Sequence, residues 1–181
     1  MEYFQESDLT KHIGVPLLQE TVQNISMQVL EGLKVMHEQG VAHRDIKIPI
    51  FVASMSPVWV KLGDFGVSKR ILAQATTTFH TRCQPLSYGA PEVLGLNSNS
   101  ESSGYTNPVD IWSVGCVIYE LLVGQNLFSS WDKITPYYFE KRPFPRDGLR
   151  LLSLYWAMRE FLYSTLCSQY NLEITIQRRK H

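Results

Sequence analysis

Two polar tripeptides constrain this chain more than any other feature of its sequence. Residues 43–45 read His-Arg-Asp, and residues 64–66 read Asp-Phe-Gly. Two β-prone runs, Ile-Phe-Val and Val-Trp-Val, lie between them, so each tripeptide is predicted to lie in a turn beside a short strand. The carboxylates of Asp45 and Asp64 could therefore converge on one site. One would serve as a proton acceptor and the other as a ligand for a hard cation.

The composition is typical of one globular domain. The chain has 181 residues, of which 44% are hydrophobic and 19% charged, so it is long enough to bury one core. Lysine plus arginine and aspartate plus glutamate each number 17, so no net field attracts nucleic acid or an anionic membrane. The longest apolar run, 114–123, is too short to span a bilayer and predicts a buried helix. We therefore expect neither a nucleic-acid nor a membrane partner.

The three cysteines are widely spaced, without a Cys-x-x-Cys pair or a Cys/His ligand spacing. This pattern indicates neither a zinc site nor a disulfide framework. The N-terminal residues are acidic and lack an apolar signal core. We therefore expect an intracellular protein, either cytoplasmic or nuclear.

Residues 16–39 show the clearest helical pattern. Proline at position 16 suits a first turn and Gly40 suits the stop, and the apolar stripe between them consists of Val22, Ile25, Val29, Leu33 and Met36. A second helix is predicted to begin near Val109. Residues 137–150 are predicted to form a loop, and residues 151–166 an amphipathic helix.

The order of these motifs resembles the eukaryotic serine/threonine protein kinase family. Tyr-Gly-Ala-Pro-Glu at 88–92 and Asp-Ile-Trp-Ser-Val-Gly at 110–115 follow the two tripeptides in the family's order. The resemblance implies an α+β, mainly α, kinase-like fold made of the hinge and the large, C-terminal lobe over residues 1–176. Residues 177–181 would be a basic tail. Because no Gly-rich loop and no Val-Ala-Ile-Lys-like strand occurs, we expect the small lobe to be absent.

The resemblance also assigns the chemistry. Asp45 matches the catalytic base, Lys47 the lysine that contacts the transferred phosphoryl group, and Asp64 the ligand that bridges magnesium to the phosphates of ATP. On its residues alone, Asp64 could instead be a turn carboxylate that binds its own backbone. The family has an asparagine five residues after the base, as a second magnesium ligand. Ile50 stands there, or Pro49 if one residue is deleted, and neither offers a side-chain oxygen.

The first residues of the chain resemble the hinge, whose backbone binds adenine in the family. The resemblance places contacts to ATP at Glu2, Phe4 and Asp8, with Asp8 near the ribose. The alternative is a frayed N-terminus in which Ser7 or Asp8 caps a short helix.

Residues 67–89 correspond to the family's activation segment. A phosphate added there could pair with Arg44 and order the segment, and the candidate acceptors are Thr76, Thr77, Thr78 and Thr81. An ordinary exposed loop is the alternative for each threonine.

The remaining motif residues receive structural roles from the resemblance. Phe65 is expected to pack inward, and Gly66 to let the backbone turn. His43 and Glu92 are likewise expected to support the structure of the site rather than to take part in the reaction. Asp110 would tie down the backbone of the catalytic loop. It could also stabilise a helix N-terminus, and both roles can hold together.

The function implied by the resemblance is ATP-dependent phosphorylation of serine or threonine in proteins. Its cofactors would be ATP and magnesium, and its partner a protein substrate or another kinase. We expect weak or no activity from this chain alone, because Ile50 replaces the asparagine and no small lobe is found to position the triphosphate. The alternatives are a pseudokinase or non-catalytic protein-binding module, and a truncated gene product.

Overall fold

The computed structural model describes most of the first three quarters of the chain. The described residues are 8–12, 14–47, 50–70, 86–91, 93–94, 107–140 and 149. The chain divides into two compact units, Met1–Phe144 and Pro145–His181. Only residue 149 of the described set lies in the second unit, so the predicted helix at 151–166 and the predicted boundary at 176 lie outside the described residues.

The described part of the first unit combines three helices with four short strands. The helices are α1 (Gln19–Glu38), α2 (Pro108–Val123) and α3 (Trp131–Phe139), and the strands are β1 (Val41–Ala42), β2 (Phe51–Met55), β3 (Val58–Lys61) and β4 (Lys69–Arg70). Two 3-10 turns, Leu9–His12 and Phe65–Val67, complete the elements. β1 pairs with β4 and β2 with β3, both antiparallel. This mixture agrees with the predicted α+β, mainly helical class.

Helix α1 buries the predicted apolar stripe. Val22, Ile25, Val29 and Leu33 lie in the core, as the three- and four-residue spacing requires. The helix begins at Gln19, three residues later than predicted, because Leu18 has an extended backbone with φ −59° and ψ 139°. The Leu17 amide donates to the Leu121 carbonyl at 2.8 Å. It ends as predicted before Gly40, whose φ of 67° breaks the helical path.

A glutamine side chain holds the β2–β3 hairpin against α1. Gln28 Nε2 donates to the Val58 carbonyl at 3.0 Å, and Gln28 Oε1 accepts the Val60 amide at 3.0 Å. The side-chain amide thus pairs with β3 as a neighbouring strand would, and it satisfies backbone groups on that strand. The hairpin, which joins the two tripeptides in sequence, is fixed to the helix that precedes them.

Helix α2 is the buried helix that the apolar run predicted. Its core residues are Val109, Val114, Cys116, Val117, Ile118, Leu121 and Leu122. The Trp112 ring stacks on Phe128 with centroids 5.8 Å apart and planes 8° apart. In the described part of the chain, no helix has the length and hydrophobicity needed to cross a bilayer.

Helix α3 extends to Phe139, so the prediction of a loop from residue 137 onward is wrong for its first three residues. Pro136 lies inside this helix, although proline lacks the amide donor that a helix interior uses. Packing decides the outcome instead. Ile134 is fully buried, and the Tyr137 ring lies 5.3 Å from Phe128.

We predict that alanine has opposite effects on stability at two glycines, Gly115 inside α2 and Gly124 at its C-terminus. Gly124 has φ 75°, and a Cβ there would lie 3.2 Å from the backbone of Gly14, whereas a Cβ at Gly115 would meet nothing within 4 Å. Gly124→Ala should lower the free energy of unfolding by about 1–2 kcal/mol. Gly115→Ala should raise it by about 0.5–1 kcal/mol, because alanine favours the helix interior. Urea denaturation measures both, and shifts of the same sign would contradict the prediction.

A second prediction concerns the buried thiol of Cys116. Burial, and secondarily the nearby Glu120 carboxylate, raise the pKa of this thiol from 9.0 to about 12. Because the thiolate is the reactive form, the folded chain with Cys83→Ser and Cys167→Ser should not react with Ellman's reagent near pH 8 until denaturant is added. The folded state holds a proton that the unfolded state loses, so stability should fall as the pH rises from 9.0 towards about 12. Fast labelling of the native variant would contradict this prediction.

Candidate active site

Strand pairing brings the two polar tripeptides together. His43 directly follows β1, and residues 64–66 lie shortly before β4. Val41 pairs with Arg70, and Ala42 with Lys69. Because β1 and β4 are neighbours, the loop after β1 and the loop before β4 lie at the same edge.

The His43 side chain connects the two loops. It is buried, and its Nε2 donates to the Gly63 carbonyl at 2.9 Å, while its Nδ1 accepts the Asp45 amide at 3.3 Å. A backbone carbonyl only accepts, so Nε2 carries the proton. The Ser68 hydroxyl adds a bond to the His43 carbonyl at 3.2 Å. These bonds fix the loop that carries Asp45 against the loop that carries Asp64.

Asp110 binds the backbone of the loop that carries Asp45. It is fully buried, its Oδ2 accepts the His43 amide at 2.9 Å, and its Oδ1 accepts the Arg44 amide at 2.8 Å. Arg44 adopts φ 69°, a left-handed conformation that costs a side-chain-bearing residue about 1–2 kcal/mol. The two bonds to a buried carboxylate stabilise this conformation. Asp110 also lies in the first turn of α2, where a negative charge is favourable.

Asp45, Lys47 and Asp64 form a small charged cluster. The Asp45 side chain is only 10% exposed, and its Oδ2 accepts Lys47 Nζ at 2.6 Å. Its Oδ1 is buried and has no hydrogen-bond partner among the described residues. Lys47 Nζ lies 4.0 Å from Asp64 Oδ2, and the Asp64 side chain is 62% exposed. The Lys47 ammonium therefore lies near two carboxylates. Asp45 retains an acceptor oxygen with no partner among the described residues, and Asp64 is mostly exposed.

The structure corrects one prediction about residues 64–66. Phe65 was expected to pack inward, but 54% of it is exposed, and its ring meets His43 with centroids 5.4 Å apart. Gly66 lies within the 3-10 turn Phe65–Val67, and the left-handed conformation occurs before it, at Asp64, with φ 59° and ψ 58°. A short polar side chain tolerates this conformation. The left-handed residue precedes the 3-10 turn Phe65–Val67, so Gly66 needs no positive φ.

Of the two positions at which the family binds magnesium, one carries an oxygen donor here and the other does not. Asp64 is an exposed carboxylate, the oxygen donor that magnesium prefers. Ile50 is 3% exposed, and its carbonyl accepts the Leu9 amide at 3.1 Å, so this position supplies no side-chain oxygen. Within the described part of the chain, no group of three or more His, Cys, Asp or Glu residues could hold a metal. A cation at Asp64 would need its other ligands from phosphates and water.

Asp8 caps the first 3-10 turn. Its Oδ1 accepts the Thr10 amide at 2.8 Å and also the Thr10 hydroxyl. This is the capping alternative for the hinge region, and a contact of Asp8 with the ribose stays a prediction. The other predicted site residues that lie outside the described residues are Glu2, Phe4, Thr76, Thr77, Thr78, Thr81 and Glu92. Arg44, the predicted partner of a phosphate on one of these threonines, is buried.

Sequence reasoning missed His37. Its Nε2 lies 2.8 Å from Asp110 Oδ2, and its side chain is 4% exposed. The available signal was its position four residues after Leu33, on the apolar stripe of α1, where a polar side chain needs a partner. The pattern of α1 alone could not show that this partner is Asp110, which lies 73 residues further along the chain.

A second missed contact joins the 86–91 segment to α2. The buried Glu120 accepts the Tyr88 hydroxyl at 2.6 Å, and the Ser113 hydroxyl donates to the Tyr88 carbonyl at 2.9 Å. The signal was an acidic residue inside the longest apolar run. These bonds anchor the end of the predicted activation segment to α2.

Fold and site together define a class of protein. A loop carrying an aspartate and a lysine is pinned by a buried aspartate, and it lies beside a second loop with an exposed aspartate. A family model described as "Protein kinase domain" matches residues 1–150. The chain belongs to the protein kinase family, as the order of motifs predicted.

Individual relatives agree with this assignment. Human mitogen-activated protein kinase 13 is 38% identical over 129 residues, which cover 71% of this chain and 33% of that protein. The serine/threonine-protein kinase cds1 of Schizosaccharomyces pombe is 38% identical over 133 residues, which cover 72% and 28%. The serine/threonine-protein kinase RAD53 of Saccharomyces cerevisiae is 34% identical over 140 residues, which cover 71% and 17%. The matched part of this chain spans a third or less of each of these relatives.

Proposed function

We propose that this site transfers the γ-phosphoryl group of ATP to the hydroxyl of a serine or threonine in a protein substrate. The observation that carries the proposal is the buried Oδ1 of Asp45, which has no hydrogen-bond partner among the described residues. An unsatisfied buried acceptor is costly. A substrate hydroxyl would satisfy it, and Asp45 would then be placed to take the proton of that hydroxyl.

The chemistry would use groups already in contact. The substrate oxygen forms a bond to the γ-phosphorus, the bond from that phosphorus to the departing ADP oxygen breaks, and Asp45 accepts the hydroxyl proton. Lys47 lies 2.6 Å from the other oxygen of Asp45. Its ammonium would stabilise negative charge on the transferred phosphoryl oxygens.

Magnesium would be held by Asp64 together with phosphate oxygens and water. When bound, it would neutralise phosphate charge and help to orient the triphosphate. Ile50 supplies no second ligand, so the triphosphate would be less firmly positioned. We therefore propose slow transfer by this chain.

Radiolabel transfer tests the proposal. The 181-residue chain is incubated with γ-labelled ATP, magnesium and the general acceptors casein and myelin basic protein, followed by phosphoamino-acid analysis. We expect label on serine and threonine that depends on both the chain and magnesium. Label no higher than in the magnesium-free control, or on tyrosine alone, would overturn the proposal.

The buried Ile50 favours a second candidate, a pseudokinase that binds a protein partner without catalysis. The variant Ile50→Asn distinguishes the two functions, because it supplies the missing oxygen. A slow kinase should transfer label faster in this variant. A pseudokinase should transfer no label either as the original chain or as Ile50→Asn, although both are folded.

A further inference from the structure

We propose that this site binds a nucleoside triphosphate with one divalent cation, and that the Lys47 ammonium supplies the positive charge that a second cation would bring. The inference rests on the proposed function, because it concerns the nucleotide held at that site. It goes beyond that function by fixing how many cations bind with the nucleotide.

Position 50 offers no oxygen to a second cation. Ile50 is 3% exposed and its side chain is a hydrocarbon, so a cation beside it would lose water without gaining a ligand. Its backbone carbonyl already accepts the Leu9 amide at 3.1 Å. A shift of register does not supply the ligand, because no asparagine occurs between Asn24 and Asn97 in the sequence.

Asp64 provides for one cation. Its side chain is 62% exposed, so magnesium bound there can complete an octahedral shell with phosphate oxygens and water. In the part of the chain that the structure describes, no three His, Cys, Asp or Glu residues are grouped as a metal site. A second cation would have to share the Asp64 carboxylate with the first.

Lys47 already places a positive charge beside both carboxylates of the site. Its Nζ lies 2.6 Å from Asp45 Oδ2 and 4.0 Å from Asp64 Oδ2, and its side chain is 27% exposed. A divalent cation next to this ammonium would be repelled, and repulsion is stronger in a partly buried site than in water. An ammonium imposes no coordination geometry, so it can neutralise phosphate and carboxylate oxygens together. The second positive charge is therefore part of the chain.

Counting Mn²⁺ that binds with a non-hydrolysable nucleotide tests the inference without turnover. Mn²⁺ uses the same oxygen ligands as Mg²⁺, and electron paramagnetic resonance measures its free concentration. The 181-residue chain is dialysed against β,γ-imido-ATP and excess Mn²⁺, and bound nucleotide and bound Mn²⁺ are both determined. We expect one Mn²⁺ for each bound nucleotide. Two would overturn the inference and leave the proposed function standing, whereas no bound nucleotide would overturn both.

Two variants at position 50 separate the effect of an oxygen from that of altered packing. Ile50→Asn supplies the missing ligand and should bind a second Mn²⁺ with the nucleotide. Ile50→Val is the matched control, which stays apolar and should keep one. A single cation in folded Ile50→Asn would overturn the inference. The count for the original chain and the test at Lys47 do not depend on whether Ile50→Asn folds.

The role of Lys47 is tested by removing its charge. Lys47→Gln should raise the Kd of the imido nucleotide about tenfold or more at fixed Mn²⁺, the effect of losing one charge-assisted contact. Lys34→Gln is the matched control, because it makes the same change at an exposed ammonium that lies 4.0 Å from Glu38 on α1. It should leave the Kd unchanged. An unchanged Kd in folded Lys47→Gln would overturn the role given to the ammonium.

Discussion

Asp110→Ala is expected to lower the free energy of unfolding by about 3–5 kcal/mol. The side chain is fully buried and accepts donors from His37, His43 and Arg44. Alanine would leave all three donors without their acceptor in a place that water does not reach. It would also remove the restraint on the left-handed Arg44. Urea denaturation followed by circular dichroism measures the change.

Asp132→Ala is the matched control for Asp110→Ala. Asp132 occupies the first turn of α3, as Asp110 does in α2, but it is exposed. Its loss should cost less than about 1 kcal/mol, the usual effect of a charge at a helix N-terminus. Similar losses of stability in the two variants would show that the buried network does not restrain the loop as described.

Asp45→Asn is expected to slow phosphoryl transfer by about 10²–10⁴-fold, the usual contribution of a general base. The amide keeps the size of the side chain but accepts a proton poorly. Initial rates of label transfer to casein measure the effect, and a thermal melt confirms that the variant is folded. Lys47 keeps its charge in this variant, and the amide oxygen of asparagine can still accept from its ammonium.

Asp132→Asn makes the same chemical change at an exposed position of α3. It should keep the original transfer rate. An undiminished rate in Asp45→Asn would mean that another group accepts the proton, and the role given to the buried Oδ1 would be wrong.

Local patterns account for the parts of the fold that the sequence predicted. The stripe from Val22 to Met36 and the stop at Gly40 are properties of one segment, and they placed α1 to within three residues of its start. The apolar run likewise predicted α2. The tripeptides at 43–45 and 64–66 predicted the family because their order and spacing do not depend on the rest of the fold.

The remaining features depend on partners that are distant in sequence. His37 lies 73 residues from Asp110, so only packing could show what its polar group meets. The exposure of Phe65 and the left-handed turn at Asp64 depend on how the second loop meets His43. The burial of Ile134 stabilises a helix that includes Pro136, a residue of low helix propensity.

A thermal melt with and without millimolar magnesium-ATP tests most directly whether residues 43–47 and Asp64 form one nucleotide site. Ligand at about 100 times its dissociation constant adds roughly 2.7 kcal/mol, which corresponds to a rise in Tm of about 5–10 °C for a chain of this size. We expect the unaltered chain to show an upward shift, and Asp64→Asn to lose most of it. No shift in the unaltered chain, or an equal shift in Asp64→Asn, would contradict the assignment of the site.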